Sequence, residues 1–253
     1  MFKIVLDAGH GSNTPGKRCL KSIDKNETRE WFLNNRICKY VEKKLASYDG
    51  YSLIRVDDIT GVTDTPLSAR VGKANSWGAD FYLSVHHNAG INGGSGGGIV
   101  SIVYTKASET SNKYSKIIYD EMIKTTGLKG NRSTPLAKQN LQVCRETNMP
   151  AVLIECGFMD STTDVPIILT DKFADEAAEG IVNALVKIGG LTKKAETKNT
   201  DNVKDNTPDT YAADAIKWAI DNGILKGNSD GDYKLHSTVT RQDVITFLYR
   251  MVK

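Results

Sequence analysis

The fold of this chain is limited most by the way short apolar runs and amphipathic stretches alternate over residues 1–189. "KIVLD" (3–7) is an apolar run of strand length. After it, Leu33, Ile37, Tyr40, Val41 and Leu45 recur at three- and four-residue spacing, the period of one helix face. "YSLIRV" predicts the next strand, and "PLSARVGKANSWG" a helix entered at Pro66 and closed near Gly78. "DFYLSVHHN" and "GGIVSIVYT" predict two further strands, and a long helix covers Glu109 to Thr126. "PAVLIECGF" is the last strong strand, and "DKFADEAAEGIVNALVKIG" closes the region as an amphipathic helix. Alternation of this kind predicts an α/β fold with a twisted, largely parallel or mixed sheet flanked by helices.

At 253 residues the chain is long for one compact unit and suits a large domain with a small one. The first domain is expected to be 1–189. Residues 190–208, "GLTKKAETKNTDNVKDNTP", carry no apolar period and read as a solvated linker. Residues 209–253 regain a pattern of helix, polar turn and helix, a small C-terminal helical domain. Thr240 and Asp243 form a capping box, with Val239 and Val244 as a hydrophobic staple; Val244, Phe247, Leu248 and Met251 then line one face. One helix pair buries too little surface to stand alone, so it is expected to pack on the larger domain or on copies of itself.

The bulk properties exclude some partners. A formal net charge of +3 is weak, and suits plain solvation better than nucleic-acid binding. No run approaches the ~18 apolar residues of a membrane span, so membrane insertion is not expected. Cys19, Cys38, Cys144 and Cys156 show no CxxC spacing and read as the reduced thiols of a protein made in the cytoplasm. Strand-like "FKIVLDAG" begins at the second residue without a basic leader, so no signal peptide is expected.

Chemistry concentrates at strand ends. In "DFYLSVHHNA" the side chains alternate faces, so Tyr82, Ser84, His86 and Asn88 share one side, while Phe81, Leu83, Val85 and His87 share the other. His86 thus falls on the polar side near the strand end, and His87 continues the apolar side. His10, between two glycines, lies just past the end of the first strand. Glu155 ends a strand that is otherwise almost wholly apolar, where burying even an uncharged polar group costs about 2–7 kcal/mol. If these strands run parallel, His10, His86 and Glu155 gather at the sheet edge where α/β folds bind ligands. Two imidazoles with a carboxylate suit a catalytic zinc site that keeps an open position. Within "NETREWFLNNR" either Glu27 or Glu30 can supply the third ligand; Glu30 falls in the first turn of the helix, with Asn34 four residues later on the same face.

"LDAGHG", Glu30 with Asn34, "PLSARVGKAN", "SVHHNA" and "VLIECGFM" together resemble the zinc-dependent N-acetylmuramoyl-L-alanine amidases of bacteria and their phages. The order and separations match over residues 2 to about 188. The resemblance implies one zinc ion held by His10, Glu30 and His86, with Glu155 as the catalytic carboxylate. It implies hydrolysis of the peptidoglycan amide between N-acetylmuramic acid and L-alanine. Two positions depart from the family pattern, His87 where a small residue is usual and Cys156 after the catalytic carboxylate. The C-terminal region is similar to a single S-layer homology repeat, with "TRQD" where "TRAE" is usual. That similarity implies attachment to secondary cell-wall polysaccharide, with Arg241 and Asp243 as the binding residues, and self-association through this domain. Without a leader, a phage endolysin released through a membrane pore onto a Gram-positive wall is expected ahead of an exported autolysin.

Three other signals fail. "GGSGGG" (93–98) does not satisfy GxGxxG and reads as a flexible loop at the cleft. "NSDGDYKLHSTV" has Tyr233 where a calcium loop needs glycine and Val239 where it needs glutamate. A Cys156–His86 nucleophile is opposed by alternation, which turns Cys156 away from Glu155.

Overall fold

The computed structural model describes residues 1–194 and 206–236, together with Val244 and Tyr249. Two compact units, Met1–Lys194 and Ala195–Lys253, divide the chain.

In chain order the first unit contains β1 (Phe2–Ala8), α1 (Glu30–Leu45), β2 (Tyr48–Asp49), β3 (Tyr51–Arg55), α2 (Leu67–Trp77), β4 (Phe81–Asn88) and β5 (Val100–Tyr104). Then follow α3 (Glu109–Thr126), β6 (Leu136–Gln139), α4 (Gln142–Arg145), β7 (Ala151–Phe158), α5 (Val165–Ile168), α6 (Asp171–Gly189) and β8 (Thr192–Lys193). Six strands form one sheet in the order β3-β1-β4-β7-β5-β6. β3, β1, β4 and β7 run parallel, and β5 runs antiparallel to β7. The mixed sheet follows from the β4–β5 connection. Residues 89–99 contain no helix, so β5 starts at the edge where β4 ended and must run back.

The strands alternate between two covered faces. Ile4, Leu6, Leu83, Val85, Val152 and Ile154 pack beneath α1, α3 and α6, meeting Ile37, Val41, Ile118, Met122 and Ile181. Val5, Tyr82, Ile102 and Leu153 face α2 and α4, meeting Val71, Ala74 and Val143. Burial on both faces explains why these strands read as near-continuous apolar runs. Each large core side chain, such as Phe173 or Ile181, contributes about 1.5–3 kcal/mol by leaving water. The helix ends obey their local chemistry. Ser108 Oγ caps α3 through the Ser111 N–H (3.1 Å), Thr170 Oγ1 caps α6 through the Phe173 N–H (3.1 Å), and Gly78, Gly127 and Gly190 close helices in the left-handed region.

The composition shift at Gly189-Gly190 precedes the end of this unit. Leu191 is buried in the core, Thr192–Lys193 pairs antiparallel with Tyr48–Asp49, and the Lys194 N–H donates to Ser47 O (2.8 Å). Residues 195–205 of the expected linker lie outside the described residues.

In the second unit a 3-10 turn (Thr210–Ala212) leads into α7 (Ala213–Asp221). The polar turn after it is closed by Asn228, whose Oδ1 accepts from the Asp230 and Asp232 N–H groups at 2.9 and 3.1 Å. Val244 and Tyr249 are helical, while the Thr240–Asp243 capping box and both Arg241 and Asp243 lie outside the described residues. Among the described residues, no helix is long and apolar enough to cross a membrane.

Candidate metal centre

The parallel arrangement of β1, β4 and β7 brings their carboxyl ends to one edge. His10 follows β1 by two residues, His86 sits near the end of β4, and Glu155 is paired directly with His86 across the β4–β7 ladder. The register shifts between His86 and Asn88, a bulge that redirects the last residues of β4 at this edge. Glu30 arrives from the first turn of α1 and is buried. Its Oε1 lies 3.0 Å from His86 Nδ1 and its Oε2 3.3 Å from His10 Nε2. The two imidazoles meet edge to face with centroids 5.0 Å apart. One ligand atom from each of His10, Glu30 and His86 lies within 4.8 Å of the others.

Burial opposes ionisation of Glu30, but the hydrogen bonds from His10 and His86 outweigh it and hold the carboxyl well below the ordinary range. For His86, burial alone favours the neutral ring, and Glu30 reverses this so that its pKa is raised. Glu27, the competing acid, is turned away and pairs with Arg18 (3.3 Å) and Lys21 (3.4 Å).

Two networks hold these side chains. A Cβ added to Gly9 would fall 2.0–2.4 Å from His86 ring atoms, so the ring packs on bare backbone. His10 has φ 68°, unusual for a residue with a side chain. Arg70, buried to 1% exposure, secures this turn by donating to Ala8 O (2.8 Å) and His10 O (3.1 Å). The same guanidinium pairs with Asp7 and Asp64 and donates to Thr65 O. Asp7 Oδ2 accepts from Tyr82 (2.9 Å) and Ser84 (2.7 Å). In the second network, Asn34 Nδ2 donates to Gly9 O (3.1 Å) while its Oδ1 lies 2.8 Å from His87 Nδ1. The His87 N–H donates to Glu30 Oε1 (3.2 Å). Burial pushes the His87 ring down to about 3, so it stays neutral behind the site.

Sequence reading passed over Arg70, Asp7 and the supporting role of His87. A charged residue ending the apolar run "KIVLD" was the available signal, since a buried carboxylate demands a partner.

Glu155 Oε2 is fully buried with no hydrogen-bond partner. Burial pushes its carboxyl up to about 7, against the opposing pull of His86 and Lys17. Cys156, one residue on, lies in the opposite core layer, where burial raises its thiol well above the ordinary value. It offers no nucleophile to this edge. All four cysteines are free and buried.

Residues 4–187 match the family model described as N-acetylmuramoyl-L-alanine amidase, and residues 204–245 match the S-layer homology domain. The N-acetylmuramoyl-L-alanine amidase CwlM of Bacillus licheniformis is 33% identical over 197 residues, covering 77% of this chain and 72% of that relative. The endolysin of Bacillus phage SPP1 is 33% identical over 256 residues, covering 95% of this chain and 90% of the phage protein. Among solved structures, an N-acetylmuramoyl-L-alanine amidase from Clostridium difficile 630 superposes with a TM-score of 0.66 at 29% identity, covering 74% of this chain and 95% of that one.

Proposed function

We propose that this chain, which belongs to the N-acetylmuramoyl-L-alanine amidase family and hydrolyses peptidoglycan at the muramoyl–L-alanine amide, does so with one zinc ion held by His10, Glu30 and His86 and with Glu155 as its catalytic carboxylate. The donor chemistry supports this reading. Two imidazoles and one carboxylate, clustered within 4.8 Å, form a set typical of catalytic zinc. Glu30 Oε2 is buried with His10 Nε2 3.3 Å away, a pairing of two metal-binding atoms that suits a shared cation. When bound, zinc supplies a Lewis acid that polarises the scissile carbonyl and makes water acidic enough to attack near neutral pH.

The remaining work falls to the protein. Glu155, as a carboxylate, takes a proton from the attacking water at Oε2 and returns it to the departing amine. The observation that carries this role is the unpartnered, buried Oε2 beside His86, an acid–base group left free for substrate. Arg70 and Asn34 hold the backbone around His10, and His87 holds Glu30 from behind. Glu155→Gln should retain one zinc per chain by elemental analysis while turnover on peptidoglycan falls at least ~10³-fold, in line with loss of an acid–base group. Turnover within a few-fold of wild type removes Glu155 from the reaction. Chelation should abolish activity and zinc should restore it, whereas thiol alkylation should not affect it.

The S-layer homology match supports retention on secondary cell-wall polysaccharide, with Arg241 and Asp243 as contacts and chain association as a means of gaining avidity. Similarity to a phage endolysin along 95% of this chain supports a lytic role on the Gram-positive wall after release from the cytoplasm. Production inside a susceptible cell should then bring lysis only once the membrane is breached.

A further inference from the structure

His10, Glu30 and His86 reach one point from three separate elements, so α1 must be held at a fixed distance from the ends of β1 and β4. The β1–β4 ladder holds only the two strands. Its paired register ends at Ala8 and Val85, and the Gly9 N–H donation to Val85 O (3.0 Å) extends it by one bond. The β4–β7 register passes from His86 to Asn88, so His87 sits within the bulge between them. There its backbone and its ring both turn to α1 instead of to a neighbouring strand.

On α1, Glu30 and Asn34 stand one turn apart on the same face, and both are buried. The His87 N–H donates to Glu30 Oε1 (3.2 Å), while His87 Nδ1 lies 2.8 Å from Asn34 Oδ1. The far partner of Asn34 decides which way that second bond runs. Gly9 O can only accept, so the Asn34 amide turns Nδ2 toward it (3.1 Å) and leaves Oδ1 facing His87. An amide oxygen also only accepts, so the ring proton sits on Nδ1. The ring itself is 2% exposed, and its Nε2 has no hydrogen-bond partner among the described residues. All of its directional bonding is therefore spent on Asn34.

These bonds close a circuit that runs from Gly9 to Val85, along β4 to His87, across to Asn34 and back to Gly9. Each of the three clustered side chains hangs from it. His10 directly follows Gly9, whose N–H and C=O are both engaged. His86 lies between Val85 and His87, with its ring against the bare backbone of Gly9. Glu30 is gripped by the peptide N–H of His87. The one link in the circuit made between two side chains is that of His87 with Asn34, so it depends on side-chain identity at both positions.

We infer that His87 is a positioning residue of the metal centre: its ring locks the Asn34 amide, and through that amide it sets the separation of Glu30 from His10. This role rests on the reading of His10, Glu30 and His86 as the zinc ligands. An apolar side chain of the same size does not replace the imidazole. Without a donor at Nδ1 the buried Asn34 oxygen loses its partner, the amide is released to turn from Gly9 O, and the His10 turn and the first turn of α1 part company. Residues that hold metal ligands from behind in this way commonly set metal affinity by about 10–100-fold.

The test measures zinc affinity of the full-length protein by competition with a chromophoric chelator, beside the melting temperature of the zinc-free form. His87→Leu, close in volume but without a donor, should raise the zinc Kd about 10–100-fold and leave KM for a soluble muramoyl peptide within about twofold. His87→Asn, whose amide nitrogen takes the place of Nδ1, should bring Kd back to within about threefold of wild type. Asn34→Leu should weaken zinc binding to a similar degree. The double variant should bind no more weakly than the weaker of the two single variants, because both open the same circuit. Where His87→Leu does not fold, His87→Ser, too short to reach Asn34, takes its place. A Kd within about twofold of wild type in that variant, no recovery in His87→Asn, or additive losses in the double variant overturn the role. A lower zinc-free melting temperature with Kd unmoved also overturns it and leaves His87 a packing residue. His86→Ala run in parallel separates the causes. If it binds zinc as tightly as wild type, the ligand set is wrong and the role of His87 fails with it; if it loses zinc while His87→Leu keeps it, the positioning role alone is wrong.

Discussion

Arg70 holds His10, a proposed zinc ligand, through its backbone. Its planar fork spans Asp7, Ala8 O, His10 O and Asp64, and a lysine ammonium cannot reach all four. Arg70→Lys should therefore weaken zinc retention by tenfold or more in competition with a chelator, with KM for substrate little changed. Arg70→Ala leaves Asp7 buried and unpaired, and should lower stability by about 3–5 kcal/mol in denaturant unfolding. Glu155 makes a second prediction. A general base works only as a carboxylate, so activity falls as pH drops through its pKa, and burial shifts that limb upward from 4.5 toward about 7. A nearby zinc ion draws it back, so the acidic limb of kcat/KM is expected between those values; a limb at or below 4.5 contradicts the desolvated setting. His10, His86 and Glu155 were legible because strand periodicity and apolar context isolate a polar residue. Glu27 and Glu30 could not be separated by spacing, since what decides between them is the pairing of Glu27 with Arg18 and Lys21. Arg70 was hidden because Asp7 and His10, the partners that tie it to the site, are 63 and 60 residues away in sequence.

At the scale of elements, periodicity recovered the longer helices and the central strands. It does not report strand direction, and so could not show that β5 turns back antiparallel to β7. The short β6, α4 and α5 were also missed, with too few residues to display a period. The glycine-rich stretch 93–98 reads as flexible from composition, yet its backbone is tied by Asp164, Asn131 and Thr163, and that of residues 90–92 by Asp160. The glycines answer a need for close approach: a Cβ on Gly130 would fall 2.0 Å from Gly97 O. Asp160→Ala removes the acceptor for three N–H groups and should cost about 2–3 kcal/mol. Hydrogen exchange should then quicken at Gly90, Ile91 and Asn92 while α6 stays protected; unchanged protection at the loop contradicts the role given to Asp160.

For the whole molecule, the compositional break at Gly189 is five residues short of the boundary at Lys194, because what holds those residues is a two-residue ladder too brief to show in sequence. A chain ending at 194 should keep activity on soluble muramoyl peptides and lose retention on intact walls. One ending at 189 additionally loses buried Leu191 and the β2–β8 pairing. It should melt several degrees lower, as expected for a loss of about 1–3 kcal/mol. Equal melting temperatures mean the ladder contributes nothing, and undiminished wall retention by the 194-residue chain removes the binding role of the second unit.

The catalytic edge also bears on synthesis. Its components are drawn from strands opening at Phe2, Phe81 and Ala151, and only distant pairings bring them abreast. A nascent chain still short of β7 has no Glu155 and no neighbour for one side of β4. The emerging polypeptide thus gathers the full set of site side chains only when most of the larger unit has left the ribosome, a delay that arises from topology alone.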